Sequence, residues 1–393
     1  MAKSRYLESF IAADLSRKMV FLGGPRQVGK TTLGQLVDAH KALSPALYLN
    51  WDRREDRQAI VAGKFAGSPR LIIFDELHKY RPWKNYIKGL YDTERDRYKF
   101  LVTGSTRLDV YRRGEDSLLG RYHYYRLHPF SVAELLRQVF KSKPGQAIVV
   151  PESKSSATAL LADLLQWGGF PESLLARDDR FTRRWHAERL DRIIKNDIRD
   201  LESVRDLSGL QVLSELLPAK VGSLLSLNSL RGDLEVAHAT VTLWVDILER
   251  FYYHFRIYPY QNTTIRSLRK EPKVYLWDWS LLENQSAKLE NIVASHLLKL
   301  VHFLADAHGY KTELYFLRDR EGREVDFLVT HNRRPWFAVE VKNTDETVSP
   351  HLLYFKERLK IPHLYQVVQT PDVDFTQHSV RVISVDTFLS ALV

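Results

Sequence analysis

The feature that most constrains the fold is the glycine-rich segment at residues 24–31, which reads GPRQVGKT and matches the pattern G-x-x-x-x-G-K-[ST] at every fixed position. An apolar run at residues 19–22 precedes it, and a stretch of helical character at residues 32–42 follows. This order of strand, glycine-rich turn and helix is typical of a phosphate-binding loop in an α/β protein. The segment therefore predicts a parallel sheet with a nucleotide at the end of its first strand.

The residue types of this loop suit a triphosphate and its metal ion. Glycine lets backbone N–H groups turn towards phosphate oxygens, the ammonium of Lys30 reaches the β- and γ-phosphates, and the hydroxyl of Thr31 holds Mg²⁺. ATP and Mg²⁺ are therefore the predicted cofactors. The predicted nucleotide contacts are Gly24, Pro25, Arg26, Gln27, Val28, Gly29, Lys30, Thr31 and Thr32.

Two acidic residues follow a second apolar run, at residues 71–74. Asp75 is predicted to support Mg²⁺ together with Thr31, because ligands of parallel α/β sheets gather at the carboxyl ends of the strands. Glu76 is predicted to polarise the attacking water. The alternative is a pair of acidic residues that only ends a strand.

Three further runs, at residues 46–49, 100–105 and 122–127, complete the predicted sheet. The second of them ends in small hydroxyl residues, of which Ser105 is the first candidate to sense the γ-phosphate or orient water and Thr103 the second. An ordinary transition from strand to turn is the alternative. Strands that alternate with helices predict the α/β class, with a parallel sheet and helices on both faces.

Arg121, just before the last of these runs, is the candidate for an arginine that reaches a nucleotide bound by a neighbouring subunit. Such an arginine stabilises the charge of the transition state in many NTPases. Arg107, Arg112 and Arg113 are rival candidates. The alternative for Arg121 is an exposed side chain or a salt bridge.

Length and composition indicate a globular protein with more than one domain, since the 393 residues are 44% hydrophobic and 27% charged. A formal charge of +10 favours a polyanionic partner such as DNA, and a basic surface without a specific partner is the alternative. The absence of cysteine excludes disulfides and Cys-ligated metals. No apolar run is long enough for a secretory signal or a membrane span, so a cytoplasmic location without membrane association is predicted.

Several segments of the chain resemble one family over nearly its whole length: GGPRQVGKTTL, LIIFDELHKYRPWKNYIKGLYD, FLVTGSTR, LLGRYHYYRLHPFS and GGFPESLL. They are similar to AAA-type ATPases of bacteria and archaea whose C-terminal region is built from a winged helix and a restriction-endonuclease-like domain. The resemblance implies that Ser105 is the sensor and Arg121 the arginine finger. It also implies a ring, a homo-oligomer of hexameric size, with ATP at the subunit interfaces. The residues that it implies for the P-loop and the acidic strand are Lys30, Thr31, Asp75 and Glu76.

Composition also predicts where the domains end. A segment rich in Pro, Gly, Ser and Lys at residues 141–156 predicts a boundary or surface loop. Beyond it, Glu188 with Arg192 and Asp191 with Lys195 are spaced four apart, which predicts a solvated, salt-bridged helix. The predicted domains are a P-loop ATPase core at residues 1–140, a helical lid and connector at 141–205, a winged helix at 206–280 and a restriction-endonuclease-like α/β domain at 281–393.

The predicted winged helix consists of three helices and a wing strand at residues 251–260. Ser226 or Asn228 is predicted to cap its second helix. Its third helix offers no Lys or Arg before Arg250, so contacts with the DNA backbone are favoured over base recognition. A winged helix that packs against protein is the alternative. The candidates for backbone contacts are Arg266, Arg269, Lys270 and Lys273.

A second group of chemically active residues lies in the last third of the chain. Glu290 lies on a predicted amphipathic helix, and Asp326 lies on the first strand of a predicted hairpin. Glu340 and Lys342 share a face of the second strand, because residues i and i+2 of a strand point the same way. Asp326 and Glu340 are predicted to share Mg²⁺ while Lys342 supports an attacking water. Glu290 is predicted to assist the metal or the lysine.

This E…D…E-x-K order resembles the PD-(D/E)xK nuclease fold, for which DNA cleavage and a binding or structural role both stay open. Taken together, the sequence predicts an ATPase of the EC 3.6 type that forms a ring and remodels DNA, with four-way (Holliday) junctions as the preferred substrate. One alternative is an ATP-gated, Mg²⁺-dependent DNA nuclease. The other is a signalling or defence ATPase that binds a protein partner.

Overall fold

The computed structural model describes residues 4–38, 43–105, 118–152, 155–202, 204–261, 270–344 and 347–393. The chain divides into two compact units. Unit 1 consists of Met1–His128, Asp200–Ser203 and Arg250–Tyr252. Unit 2 consists of Pro129–Arg199, Val204–Glu249 and Tyr253–Val393.

The described residues of unit 1 form a five-stranded parallel sheet with the strand order β2-β3-β4-β1-β5. Both β1 and β3 are buried along their whole length, which explains their continuous apolar sequence. All five predicted strands are present, so the predicted α/β class with a parallel sheet is confirmed. Their bounds are β1 (Met19–Gly23), β2 (Ala46–Asn50), β3 (Leu71–Asp75), β4 (Lys99–Gly104) and β5 (Tyr122–Arg126).

Helices connect these strands and cover the sheet. Aromatic side chains form much of the core on one face, among them Phe74, Trp83 and Phe100. Burial of each such ring contributes roughly 1.5–3 kcal/mol to folding. The helix after the glycine-rich loop begins at Lys30, earlier than predicted, and the predicted end at residues 39–42 lies outside the described residues. The helices are α1 (Glu8–Leu15), α2 (Lys30–Asp38), α3 (Arg54–Ala62) and α4 (Trp83–Glu94), with a 3-10 turn at Leu77–Lys79.

The described residues of unit 2 form an eight-stranded mixed sheet with the order β12-β13-β11-β10-β9-β8-β6-β7. The predicted hairpin is present, since β9 and β10 pair antiparallel around Asn332 and Arg333, both of which have positive φ angles. The bounds are β6 (His254–Pro259), β7 (Lys273–Leu276), β8 (Thr312–Arg318), β9 (Glu324–His331), β10 (Arg334–Lys342), β11 (His363–Val368), β12 (Asp374–Gln377) and β13 (Val380–Ser384).

The strand predicted as the wing of a winged helix belongs to this sheet. It is β6, which pairs antiparallel with β7 and parallel with β8. Its alternating burial fits a strand with one face towards a core. The predicted strand therefore exists, but it extends the C-terminal sheet, and the assignment of residues 206–280 to a winged helix stays a prediction.

The remaining helices include the one predicted to carry Glu290. The predicted ion pairs Glu188–Arg192 and Asp191–Lys195 are present at 3.5 and 2.9 Å. The bounds along the chain are α5 (Val132–Leu135), α6 (Ser155–Trp167), α7 (Pro171–Ala176), α8 (Asp179–Asp191), a π-helical segment (Arg192–Ile198), α9 (Arg199–Leu201), α10 (Leu207–Leu216), α11 (Leu227–Leu234), α12 (His238–Arg250), α13 (Gln285–His308), α14 (Pro350–Leu359) and α15 (Val385–Ser390).

Two parts of this region are less solvated than the sequence predicts. Arg189 is 3% exposed, and its guanidinium lies 4.2 Å from the ring of Phe170, so α8 is not polar on all sides. The segment at 141–152 is fixed to the sheet of unit 2, because Trp336 Nε1 donates to the carbonyl of Gln146 at 2.6 Å and the N–H of Ile148 donates to Tyr365 at 2.8 Å. The first boundary between the two units falls after His128. The finer division of the chain into four domains stays a prediction.

Candidate nucleotide-binding site and acidic cluster

The glycine-rich loop of unit 1 lies at the carboxyl edge of the parallel sheet, beside the ends of β3 and β4. Strand register aligns Gly23 with Gly104, and Asp75 with Thr103. The loop that follows Gly23 therefore meets the acidic residues at one edge of the sheet, where ligands of parallel sheets bind.

The backbone of the loop adopts conformations that only a few residue types tolerate. Gly24, Gln27 and Gly29 have φ angles of 151°, 63° and 98°. A Cβ atom on Gly24 would lie 2.5 Å from the carbonyl oxygen of Leu127, so glycine is required there. Arg5 stabilises the loop, since its guanidinium donates a hydrogen bond to the carbonyl of Val28 at 2.8 Å.

Lys30 points into the loop that it follows. Its side chain is buried, and Nζ donates to the carbonyl oxygens of Gly24 and Pro25 at 2.9 and 2.8 Å. Because α2 begins at Lys30, its N-terminal N–H groups and the positive end of its dipole face the same point. An ammonium beside a helix N-terminus fits the phosphates of a nucleotide.

Asp75 accepts hydrogen bonds from three hydroxyl groups. Oδ2 accepts from Thr31 at 2.9 Å and from Tyr48 at 2.6 Å, and Oδ1 accepts from Thr103. Burial and the neighbouring Asp75 raise the pKa of Tyr48, so its hydroxyl stays a donor at physiological pH. The hydroxyl of Thr31 and the carboxylate of Asp75 are oxygen ligands of the kind that Mg²⁺ prefers, so these residues fit the metal of a Mg²⁺–nucleotide.

Sequence reasoning missed Tyr48, because an aromatic residue in a strand is ordinary. The pairing of β2 with β3 aligns Asn50 with Asp75, and this alignment brings the tyrosine within reach. A polar atom on the strand beside the acidic one was the only available signal.

Glu76 follows Asp75 with a φ angle of 56°, which turns its side chain away from the strand direction. Ser105 donates to Glu76 Oε2 at 3.1 Å, and His78 Nε2 lies 3.5 Å from the same oxygen. Burial and then Asp75 raise the pKa of Glu76, while Lys30, Lys79 and the hydrogen bond from Ser105 oppose this. The two sensor candidates thus contact different acids: Ser105 contacts Glu76 and Thr103 contacts Asp75.

Arg121 lies at the amino-terminal ends of the strands, whereas the glycine-rich loop lies at their carboxyl ends. It precedes Tyr122, which is aligned with Met19 at the start of β1. Its guanidinium forms two hydrogen bonds with Asp92, at 2.8 and 3.0 Å. Arg121 therefore cannot reach the nucleotide site of its own chain, and a role at a neighbouring site stays a prediction. The rivals Arg107, Arg112 and Arg113 lie outside the described residues.

In unit 2 the four residues predicted as a nuclease-like site lie together, in a group that we call the acidic cluster. Asp326 Oδ2 accepts from the N–H of Val341 at 2.9 Å, and Glu340 Oε2 lies 3.4 Å from the N–H of Asp326. Lys342 Nζ lies 2.8 Å from Glu340 Oε1, as their shared strand face predicts. The cluster consists of Glu290, Glu324, Asp326, Glu340, Lys273, Tyr275 and Lys342.

Lys273 is the residue for which the sequence prediction is wrong. It was expected to contact a DNA backbone, but it is 3% exposed and its Nζ lies among three carboxylates. The distances from Nζ are 2.6 Å to Glu324, 3.3 Å to Glu290 and 3.6 Å to Asp326. Of the other backbone candidates, Lys270 is exposed, and residues 262–269 lie outside the described part of the chain.

Burial and repulsion between carboxylates raise the pKa values of Glu290, Asp326 and Glu340. Burial and then Asp326 raise the pKa of both Glu290 and Glu340 to about 7. The ammonium of Lys273 opposes the shift of Glu290, and Lys342 opposes that of Glu340.

The cluster does not fit the Mg²⁺ that a nuclease fold implies. The oxygens are spaced around an ammonium at 2.6–3.6 Å, whereas Mg²⁺ requires oxygens at about 2.0–2.1 Å. Among the residues that the structure describes, no group of three or more His, Asp or Glu side chains has the geometry to hold a metal ion.

The parallel sheet, the glycine-rich loop and the Thr31–Asp75 pair define unit 1 as a P-loop nucleotide-binding domain. Residues 16–136 match a family described as an AAA domain. Residues 158–291 match a domain of unknown function (DUF8612), and residues 285–388 match another (DUF4143). The first part of the chain is thus an AAA-type P-loop domain, and two further family regions follow it.

Individual relatives and solved structures match longer stretches of the chain than the AAA family does, at sequence identities of 16–25%. An uncharacterized protein of Mycobacterium tuberculosis is 25% identical over 340 residues, which are 83% of this chain and 70% of that protein. An uncharacterized protein of Methanocaldococcus jannaschii is 23% identical over 334 residues, 80% of this chain and 73% of that one. The Thermotoga maritima RuvB Holliday junction branch migration motor is 16% identical and covers 64% of this chain and 87% of its own, with a TM-score of 0.29. That score is too low to define a common overall fold.

A membrane-spanning helix needs about 20 mostly apolar residues, and the described segments contain helices of 3 to 24 residues. None of them combines the length and the apolar character that a membrane crossing requires.

Proposed function

We propose that this chain hydrolyses ATP at the glycine-rich loop of unit 1. The observation that carries the proposal is the 2.9 Å contact between Thr31 Oγ1 and Asp75 Oδ2, with the ammonium of Lys30 beside the same loop. A bound Mg²⁺–ATP supplies the phosphoanhydride bond and a metal ion that balances its charge. Lys30 binds the phosphate oxygens in place of its two carbonyl partners, and Thr31 and Asp75 hold the metal.

Glu76 is the proposed base that orients the attacking water and accepts its proton. It has to be ionised for this role, and the hydrogen bond from Ser105 favours the ionised form. Ser105 is therefore the proposed positioning residue for Glu76, and Thr103 has the corresponding role for Asp75.

The proposed active form is a ring of identical chains, of hexameric size, in which Arg121 of one chain reaches the nucleotide of the next. The position of Arg121 at the far edge of its own sheet supports this arrangement, because it separates the guanidinium from the loop of the same chain. The salt bridge with Asp92 keeps the side chain ordered until a neighbour is present.

The proposed substrate of the motor is DNA, with branched duplexes such as four-way junctions preferred. The formal charge of +10 supports a polyanionic partner. A groove of about 490 Å³ beside the acidic strand adds a local argument, since its lining includes His78, Lys79, Arg81 and Lys84. Lys79 lies between this groove and the proposed base, because its Nζ is 3.9 Å from Glu76 Oε2. A DNA phosphate bound by Lys79 would therefore lie close to Glu76.

The test is ATP turnover measured with and without junction, duplex and single-stranded DNA at several salt concentrations. Wild type should hydrolyse ATP, Lys30→Ala should lose turnover by at least 100-fold, and junction DNA should raise the rate in a salt-dependent way. Arg81→Glu should reduce the stimulation by DNA, whereas Arg54→Glu, an exposed arginine on α3, should not.

The outcomes separate the parts of the proposal. A wild-type protein that binds no nucleotide would disprove the ATPase assignment. Turnover that DNA of any form leaves unchanged would disprove the DNA motor and favour a protein partner instead.

A further inference from the structure

The acidic cluster of unit 2 contains a cation of its own. Lys273, the first residue of β7, extends its ammonium between Glu290 on α13 and Glu324 and Asp326 on β9. An ammonium has three N–H donors, and here three carboxylates surround it. The group therefore has the composition of a cation site, with the cation supplied by the chain.

The carboxylate oxygens are also committed to other donors of the protein. Tyr275 donates to Glu290 Oε1 at 2.7 Å, and the N–H of Val341 donates to Asp326 Oδ2 at 2.9 Å. Glu340 Oε1 is 2.8 Å from Lys342 Nζ. A metal ion at the centre would have to displace Lys273 and compete with each of these donors.

The position of Lys273 is fixed by packing as well as by charge. Strand β7 pairs with β6 from Lys273 to Leu276, and Tyr275 is fully buried on it. The ring of Phe316 lies 5.7 Å from the ammonium, within the range of a cation–π contact.

We propose that the ammonium of Lys273 is the resident cation of the acidic cluster, so that the cluster holds no divalent metal ion and unit 2 does not cut DNA. The lysine stabilises the fold by neutralising the buried carboxylates of Glu290, Glu324 and Asp326. Removal of its charge leaves these carboxylates without the cation that compensates them, which is strongly unfavourable for buried charges.

Mn²⁺ binding to the nucleotide-free full chain, followed by electron paramagnetic resonance, tests this proposal. Lys273→Met keeps the length of the side chain and removes its charge, and Lys270→Met is the matched control at an exposed lysine three positions earlier. We expect Lys273→Met to unfold at a lower temperature than wild type or Lys270→Met, and none of the three proteins to bind an additional Mn²⁺ at the cluster. The double variant Lys273→Met/Asp326→Asn should regain part of the lost stability, because it removes one of the uncompensated carboxylates.

A Lys273→Met protein that is as stable as Lys270→Met, judged by thermal unfolding followed by circular dichroism, would overturn the proposal. Wild type supplies a second measurement in case the variant does not fold. Its Mn²⁺ affinity should equal that of Asp326→Asn, and it should not cleave DNA with Mg²⁺ or Mn²⁺. Mn²⁺ binding or DNA cleavage by wild type that Asp326→Asn or Glu340→Gln abolishes would show a working metal site. Neither result depends on ATP hydrolysis by unit 1.

Discussion

The hydroxyl of Tyr48 donates to Asp75 Oδ2 at 2.6 Å, the same oxygen that Thr31 contacts at 2.9 Å. When Thr31 turns to a metal ion, Tyr48 still holds the carboxylate in its orientation. Loss of a group that orients a metal ligand in this way typically costs roughly 10–100-fold in metal affinity or activity. Tyr48 is thus a positioning residue that acts through Asp75.

Tyr48→Phe should therefore raise the Mg²⁺ concentration needed for half-maximal ATP hydrolysis by roughly tenfold, within the range typical of such second partners. Binding of ATP without Mg²⁺ should stay unchanged. Tyr86→Phe is the matched control, because Tyr86 donates its hydroxyl to the carbonyl of Ile60 in the same unit. Equal Mg²⁺ dependence of the two variants would contradict the role of Tyr48.

Ser105→Ala should shift the acid limb of the pH–rate profile towards higher pH. Hydrolysis requires ionised Glu76, so the rate falls as pH drops through the pKa of Glu76, which burial raises. Ser105 lowers that pKa by donating to the carboxylate, and its loss lets the pKa rise further. The measurement is kcat against pH for wild type and Ser105→Ala. A variant profile that moves to lower pH, or one that is lower at every pH without a shift, would contradict the role of Ser105 in lowering the pKa of Glu76.

The sequence predicts the central strands of unit 1 well, because β1, β3 and β4 are buried and therefore appear as apolar runs. The loop residues and Asp75 follow from the motif, and the cluster of Glu290, Asp326 and Glu340 follows from helix and hairpin patterns. Tyr48 and Lys273 do not, for a common physical reason. The partners of Tyr48 and Lys273 lie on other strands and helices, outside their own segments of sequence. The tertiary contacts that bring these partners together leave no local sequence pattern.

Lys273 also shows how a charged residue can mislead. A lysine that follows a basic stretch resembles a surface residue, because an unpaired buried ammonium is unfavourable. Three carboxylates from separate elements remove that penalty, and only the folded sheet brings them together.

Gly24→Ala should prevent the loop from closing, since the added Cβ would lie 2.5 Å from the carbonyl of Leu127. We expect loss of nucleotide binding and a destabilisation of about 1–3 kcal/mol, as for a residue forced into strain. Gly89→Ala is the matched control on α4, where a Cβ has nothing within 4 Å. That change should stabilise the helix by about 0.5–1 kcal/mol. Thermal unfolding and nucleotide titration measure both, and a Gly24→Ala protein with normal nucleotide affinity would refute the steric argument.

Arg121→Ala should lower kcat by at least 100-fold without weakening nucleotide binding, because an arginine finger acts on the transition state. Asp92→Asn removes the salt bridge with Arg121 and should keep most of the activity. If both variants lose activity equally together with thermal stability, the salt bridge is structural and the finger lies elsewhere. Steady-state kinetics and thermal unfolding of the two proteins distinguish these results.

His254→Leu should stabilise unit 2 more at pH 5 than at pH 8. His254 is fully buried, and neither ring nitrogen has a hydrogen-bond partner among the described residues. Burial lowers its pKa from 6.5 to about 4, so its contribution to stability is complete above pH 6.5 and is lost as pH falls towards 4. The difference reaches about 3 kcal/mol at most, at 1.36 kcal/mol per pKa unit. Melting temperatures at the two pH values provide the check, and an equal shift at both would rule out titration of His254.

The register of β1 with β5 aligns Gly23 with Arg126, so that Arg121 lies five residues, or roughly 17 Å at 3.3 Å per residue, from the level of Gly23. If Arg121 acts on the nucleotide of a neighbouring chain, as we propose, a chain that is alone in solution lacks the arginine for its own site. Specific activity should therefore fall upon dilution, and an equimolar mixture of Lys30→Ala and Arg121→Ala chains should recover turnover that neither has by itself. Catalysis in such a protein belongs to a pair of chains, and the concentration of the protein becomes one of its own regulators.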